Sequence, residues 1–281
     1  MCGSRSVAIW MDDGKPTRYV RCQGCSTVYA SPCAPLSVRH AGLDTTFSYG
    51  ENAIRNAEAR RKALRTEAEL IKRYIAGGRM LDVGCSLGDL FAGFPDPAWE
   101  RFGVELSPSA AAHATRTHAA RVQAGTLLKA GYPADFFDLV TLIDMMYYLD
   151  DPGAEFREIS RVMKPGGILA VEIPGQAFML WRSRGLLCWL MERQWTRLRT
   201  DSAYVLWPTP LGLRRFLTRI GFQAVGWHVI SSPKQSGRLQ RILSQTYFRL
   251  SSAAARSFPR TLTFAPRYLF LARKEPQSAR V

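Results

Sequence analysis

An α/β fold, with a parallel sheet covered by helices on both faces, is predicted for this 281-residue chain by three observations. Short apolar runs alternate with helical stretches through the middle of the sequence. Such alternation needs crossover connections, which generate parallel strands flanked by helices. One run, Met80-Leu-Asp-Val83, enters a turn carrying Gly84 and Gly88. Another, Arg101-Phe-Gly-Val-Glu-Leu106, carries an acid, Glu105, at its end, seventeen residues after Gly88.

Taken in order, residues Gly50 to Ala76 are rich in Ala, Glu and Arg and predict a long helix closed by Gly77-Gly78, an N-terminal cover beside the turn. The strand Met80–Val83 follows. After the second strand, Ser107 supplies an N-cap and Pro108 a first-turn residue for an alanine-rich helix from Ser109 to Ala120. Arg121 to Gly125 reads as a short strand and Phe137 to Ile143 as a fully apolar one. A helix from Ala154 to Met163, the turn Lys164-Pro-Gly-Gly167 and a strand from Ile168 to Ile173 come next. Gln176 to Thr200 reads as an inserted helical cap. Thr209-Pro210 opens a helix ending at Gly221, before a strand from Phe222 to Ile230. Arg267 to Ala272 is the last strand, and the polar tail beyond Lys274 is expected to fray.

The glycine turn has a chemical reading. Glycine lacks a Cβ, so such a turn brings backbone N–H groups close to a ligand. The spacing is G-x-x-x-G, and Ser86 stands where the second glycine of the dinucleotide fingerprint belongs. That shifts the reading from a nicotinamide cofactor toward S-adenosylmethionine; an ordinary strand-to-helix turn is the plain alternative. An acid at the end of the second strand, here Glu105, offers two oxygens to ribose hydroxyls.

The segments "LDVGCSLGDL", "FGVELSPSAAAHA", "FDLVTLIDMMYYLDDP" and "ISRVMKPGGILAVEIPG" together resemble the class I S-adenosylmethionine-dependent methyltransferases, over roughly residues 50 to 230. The resemblance implies a Rossmann-like, mostly parallel sheet of seven strands, with Arg267 to Ala272 as the seventh, and S-adenosyl-L-methionine as cofactor. Carried over by position, Asp82, Gly84 and Gly88 line the methionine part, with Cys85 and Ser86 in the same loop. Glu105 holds the ribose, with Leu106 beside it. Gly125, Thr126 and Leu127 fall where the family contacts adenine, without the acid often found there. Asp144 and Met145 lie near the transferred methyl group. Tyr148 stands where many relatives carry a histidine. A tyrosine can orient an acceptor hydroxyl, but its ordinary pKa of about 10 makes it a poor base at neutral pH. The alternative is that Tyr147 and Tyr148 pack over the cofactor as apolar cover. No Asn/Asp-Pro-Pro-Tyr motif follows Ile143, which argues against amino-methylation of nucleic acid bases. Methyl transfer from a sulfonium needs alignment and desolvation more than covalent help, so the reading does not require an obvious base.

An apolar content of 47% supports one main domain with additions. Met1 to Tyr19 lacks the basic start and apolar run of a secretory signal, and Gly185 to Met191 is too short to span a bilayer. A cytoplasmic protein is expected, with peripheral membrane attachment as an option. The net charge of +15 lies wholly in the C-terminal part: residues 1–175 carry 20 basic and 20 acidic residues, residues 176–281 carry 18 and 3. There Arg182, Arg184, Arg193, Arg197 and Arg199 interleave with Trp181, Trp189 and Trp195. In the family this region commonly helps to form the acceptor site. A helix from near Gly237 sets Leu239, Ile242, Leu243, Tyr247 and Leu250 on one side and Arg238, Arg241, Gln245 and Arg249 on another. This pattern suits an anionic membrane surface, a phosphorylated or acidic-glycan ligand, or a solvated face over the core. Nucleic acid is the weakest partner, since no recognised binding module accompanies the charge.

Six cysteines in a chain of this kind read as metal ligands or buried thiols rather than disulfides. Cys22-Gln-Gly-Cys25 is a C-x-x-C pair, with Cys2 twenty positions before Cys22. The stretch "RYVRCQGCSTVYASP" resembles the second knuckle of the zinc-ribbon leader carried by a subgroup of these methyltransferases, in which two knuckles hold one tetrahedral zinc. The first knuckle is incomplete. Either its missing cysteine lies ahead of Met1, or Cys33 is the fourth ligand beside Cys2, Cys22 and Cys25, or no metal binds. Cys85 and Cys188 read as buried thiols. The expected organisation is a leader over residues 1–36 and a methyltransferase domain over 37–281, with a cap at about 176–208 and a basic part over 209–281. The expected function is methyl transfer to a small-molecule, sugar or glycan, or lipid acceptor held between the Tyr147-Tyr148 loop and the Trp181 to Trp207 segment. The rival is a non-catalytic, methyltransferase-like protein that binds an anionic membrane or polymer through its basic half.

Overall fold

The computed structural model describes residues 2–12, 17–33, 51–183, 205–230, 238–257 and 264–276. In chain order the elements are β1 (Val7–Met11), β2 (Arg18–Cys22), β3 (Val28–Ser31), α1 (Glu51–Lys72), β4 (Gly78–Val83), β5 (Trp99–Glu105), α2 (Pro108–His118), β6 (Arg121–Ala124), β7 (Phe137–Ile143), α3 (Pro152–Val162), β8 (Met163–Ile173), α4 (Gln176–Ser183), β9 (Leu206–Trp207), α5 (Pro210–Arg219), β10 (Phe222–Ile230), α6 (Arg238–Ser257) and β11 (Arg267–Lys274).

The main sheet has seven strands in the order β6-β5-β4-β7-β8-β11-β10. The pairs of β4 with β5 and β7, of β5 with β6 and of β7 with β8 are parallel; β11 runs antiparallel to both β8 and β10. The mostly parallel seven-stranded architecture expected from the sequence is therefore present. Strand residues alternate between two cores. Leu81, Val83, Val140, Leu142, Leu169 and Val171 face a core shared with Phe156 and Ile159 of α3 and Leu213 and Phe216 of α5. Met80, Leu139, Ile168, Ala170, Leu269 and Leu271 face a second core with Leu64, Ala68 and Ile71 of α1 and Ala114 of α2.

Local chemistry explains the boundaries. Ser107, Asp151 and Thr209 each cap a helix by accepting from a backbone N–H, and each is followed by proline in the first turn. Helix α1 stops at Lys72, short of the expected Ala76, because Arg73 and Tyr74 turn back in tighter bonds to Leu70 and Ile71. Past the glycine turn the helix is only a short 3₁₀ segment, Asp89–Gly93; Pro95 follows and disfavours further helix. The turn Lys164–Gly167 becomes a bulge inside β8. Phe137 pairs with Met163 and Leu139 with Ile168, so the extra residues loop out, and Gly166 takes a φ of +81°.

The N-terminal ribbon is stitched to the main domain. Its strands form a four-stranded antiparallel sheet, β1-β2-β3-β9, whose last member comes from far along the chain. Tyr19, Val28 and Ala30 share the first core with Leu142, Met146 and Trp207. Gln176, at the start of α4, donates to the carbonyls of Ser26 and Trp207 at 2.9 and 2.8 Å. Of the expected cap, residues 184–204 lie outside the described residues, as do Cys188 and the side chains of Trp181, Arg182, Arg184, Trp189, Arg193, Trp195, Arg197 and Arg199. The side chains of Arg238, Leu239, Arg241, Ile242 and Leu243 lie outside them too. In the visible part of α6, Tyr247 stacks on Phe178 of α4 at 5.4 Å between centroids, while Leu250 is 66% exposed. Among the described residues no helix is long and apolar enough to cross a membrane.

Candidate active site at the carboxyl edge of the sheet

The central position of β4, flanked by β5 and β7, brings Asp82, Glu105 and Asp144 to one edge of the sheet. This is the place where the strand order reverses direction and where open α/β sheets bind ligands. The turn after β4 is held from within. The N–H groups of Gly84 and Cys85 both donate to the Val104 carbonyl (2.8 and 3.2 Å), and that of Ser86 donates to Glu105 Oε2 at 2.9 Å. The three N–H groups expected to approach a ligand thus tie the turn to β5. Glycine is required at Gly84 for a different reason: its φ is +74°, and a Cβ there would sit 2.8 Å from Met145 Sδ. Ser86 also holds a left-handed φ of +55°, the conformation that makes glycine common at this position.

Glu105 is buried, and its Oε1 accepts from the Ser107 N–H at 2.9 Å. Both oxygens are thereby aimed by fixed backbone donors. Leu106 next to it is exposed. The Gly125 N–H donates to the Glu105 backbone carbonyl, tying the end of β6 to the end of β5; a Cβ on Gly125 would meet open space. Leu127 and Cys85 are both buried in the cores, so only their backbone can touch a ligand. Burial, with Asp82 and Glu105 nearby, pushes the Cys85 thiol far up, which matches the buried-thiol reading.

Asp82 is buried, and Thr141 donates its hydroxyl to Oδ1 at 2.7 Å. Burial pushes its carboxyl up to about 7; Thr141 and Arg60 pull it down, and Glu105 pushes it further up. Asp144 takes a φ of +59° just past β7. Its Oδ1 accepts from the Tyr147 hydroxyl and from Arg267 Nη2. Tyr147, buried, is the tyrosine whose hydroxyl reaches Asp144, whereas Tyr148 is half-buried and stacks on Tyr147 at 4.7 Å.

The residues missed by sequence reasoning are Glu67, Glu172 and Arg267. Arg267 opens β11 and donates through Nε to Glu172 Oε1 near the end of β8. Alternation along the strands carried a signal for them. On the α1 face, Ile168 and Ala170 are followed by Glu172, Met80 by Asp82, Leu139 by Thr141, and Leu271 and Leu269 by Arg267. The apolar face thus ends in a polar layer at the carboxyl edge.

A second candidate site lies in the ribbon. The sulfurs of Cys2, Cys22 and Cys25 lie within 4.8 Å of one another, with Cys2 and Cys22 at 3.4 Å. Tetrahedral zinc with ligands at about 2.3 Å separates its sulfurs by roughly 3.8 Å, so the three thiols fit such an ion. Burial pushes the Cys22 thiol up, but hydrogen bonds from Cys2 and from the backbone of Cys25 and Gly24 outweigh it and bring it down to about 7. Cys33 does not join the triad, although it lines the same cavity of about 250 Å³ as the three thiols, together with Tyr29, Asp150 and Asp151.

A family profile described as a methyltransferase domain matches residues 54–226. An uncharacterized methyltransferase of Schizosaccharomyces pombe is 33% identical over 103 residues, 32% of this chain and 37% of the relative. A ubiquinone biosynthesis O-methyltransferase of Bradyrhizobium sp. is 32% identical over 101 residues, 34% of this chain and 40% of the relative. The matches span about two fifths of these relatives' length. Among solved structures, a possible histamine N-methyltransferase of Thermotoga maritima shares the fold with a TM-score of 0.56 at 15% identity, covering 86% of this chain and all of that one. The [4+2]-cyclase SpnF gives 0.51 at 21% identity, over 75% of this chain and 81% of its own. The chain belongs to the methyltransferase-domain family, as a class I S-adenosylmethionine-dependent member.

Proposed function

We propose that the protein transfers a methyl group from S-adenosylmethionine to a hydroxyl of a small-molecule acceptor. The observation that carries this reading is the convergence of Asp82, Glu105 and Asp144 at one sheet edge around the Gly84–Gly88 turn. Glu105 would hold the ribose, the turn and Asp82 the methionine part, and Gly125, Thr126 and the backbone of Leu127 the adenine. Bound there, the cofactor supplies an activated methyl group. The chain's own work is orientation and exclusion of water. Asp144, held by Tyr147 and Arg267, would lie at the reacting end and orient the acceptor hydroxyl, accepting its proton while the methyl group passes to oxygen and its bond to sulfur breaks. Tyr148 would then serve as cover or as a second orienting hydroxyl. An oxygen acceptor is favoured by the O-methyltransferases among the relatives. A glycan or lipid acceptor would draw on the arginines of the C-terminal part. The rival role, docking on an anionic surface, has the exposed Leu250 on the basic helix in its support.

S-adenosylhomocysteine is expected to raise the melting temperature of the parent, and Glu105→Ala to abolish most of that rise. Incubation with methyl-labelled cofactor and fractionated small-molecule, glycan and lipid pools should then label one class. A parent that neither binds the cofactor nor labels any pool would refute the enzyme reading in favour of the binding protein.

The thiol triad we assign as a structural zinc site that closes the ribbon, with Cys2, Cys22 and Cys25 as ligands. Purified protein should carry about one zinc per chain, as a single tetrahedral site requires. Cys25→Ser should lose the metal and melt at lower temperature. Parent protein with only traces of zinc would end this assignment.

A further inference from the structure

The polar layer beneath α1 holds more carboxylates than it can neutralise. Glu67, one turn before the end of α1, is 4% exposed, and its Oε2 has no hydrogen-bond partner among the described residues. The charged groups around it are Asp82 on β4, Glu172 on β8, Arg267 on β11 and Arg60 on its own helix. Arg267 is already committed to Glu172 and Asp144. The Arg60 side chain is 45% exposed and reaches toward Asp89 at 3.9 Å. Among the described residues, three buried carboxylates, Glu67, Asp82 and Glu172, therefore lie in one layer with a single largely buried guanidinium, that of Arg267, which is bonded to Glu172.

Burying an unpaired carboxylate is costly, and an orphaned buried oxygen marks a place where a partner is supplied from outside. A bound metal does not fit that need, because among the described residues only the thiols cluster closely enough to form a cage. An organic cation with its own shape does fit. α1 packs along the 3₁₀ segment that follows the glycine turn, and Glu67 lies within electrostatic reach of Asp82, the acid that ends β4 at that turn, and of Arg267, which holds Asp144.

Resting on the methyl-transfer reading, we infer that Glu67 is a specificity-determining residue whose carboxylate favours the cationic methyl donor over the demethylated product. The donor carries a sulfonium beside its amino-acid group; the product carries a neutral thioether. A carboxylate within the reach of Coulomb attraction, in a site closed to water, separates the two by the sulfonium charge alone. Loss of that charge on methyl transfer weakens the hold of the layer and assists release of the product.

The test is calorimetric binding of S-adenosylmethionine, S-adenosylhomocysteine and sinefungin, whose amine replaces the sulfonium charge, to the full chain at pH 8. Burial raises Glu67 to about 7, so it is charged at that pH. Glu67→Gln is expected to weaken S-adenosylmethionine and sinefungin on the order of tenfold and to leave S-adenosylhomocysteine within about twofold. The replaced Oε2 has no bond to lose, and Glu67→Ala provides a second neutral variant should Gln fail to fold. Equal losses for all three ligands, or none, overturn the inference and leave the methyl-transfer reading standing. A parent that binds none of them overturns both.

Discussion

Asp82→Asn is expected to stabilise the unliganded protein at pH 8 while weakening S-adenosylmethionine at least tenfold, about 1.4 kcal/mol. The Asp82 carboxyl sits near 7 in the folded chain because it is buried, against about 3.9 in an unfolded one. Between those values the folded chain holds a proton that the unfolded chain has released, so stability falls as pH rises. The contribution is fully present below about pH 4 and gone above about pH 7. A difference of roughly three units corresponds to about 4 kcal/mol. Asparagine keeps the oxygen that accepts from Thr141 and removes the titration. Melting curves from pH 5 to 8.5 should therefore flatten in the variant, retaining the share that belongs to the other carboxyls raised by burial, Glu67 and Glu155 to about 7 and Glu172 well above its ordinary range. A variant with the parent's full pH slope would show that Asp82 is already ionised in the folded state. Stability and cofactor binding pull in opposite directions at this residue, as expected of a charge buried for a ligand.

The second large effect is expected at Arg267. Its guanidinium touches both Glu172 and Asp144, and burial lowers it only to about 10, so it is charged at neutral pH. Arg267→Leu leaves Glu172 buried and uncompensated, a change that costs about 3–5 kcal/mol. The double change Arg267→Leu with Glu172→Leu should recover much of that loss, because removing both charges also removes their desolvation penalty. Urea unfolding of the parent, single and double variants measures the coupling. A single variant within 1 kcal/mol of the parent would show that the contact is not maintained in solution.

Where local rules dominate, the sequence was a close guide. The strands Phe137–Ile143 and Phe222–Ile230 lie where the apolar runs put them, and Ser107 and Thr209 cap the helices they were expected to cap. Glu105 stands at the end of its strand beside the glycine turn, as its spacing implied. The sequence marks the Tyr147-Tyr148 pair after the Phe137–Ile143 strand, but which hydroxyl reaches Asp144 depends on the short 3₁₀ turn that carries them. Two adjacent residues there point different ways, and composition carries no sign of which.

By itself the sequence determined the alternation of strands and helices, the glycine turn and the acids that end β4 and β5. These follow from periodicity, capping and backbone conformation over a few neighbouring residues. Only the tertiary structure decided that β9 would complete the ribbon sheet from some 175 residues away, and that Arg267 would meet Glu172 and Asp144 across β11 and β8. It also buried Glu67, a residue of a helix whose composition is largely polar. Such contacts join residues far apart in the chain, and their strength comes from desolvation, which exists only once the elements have packed.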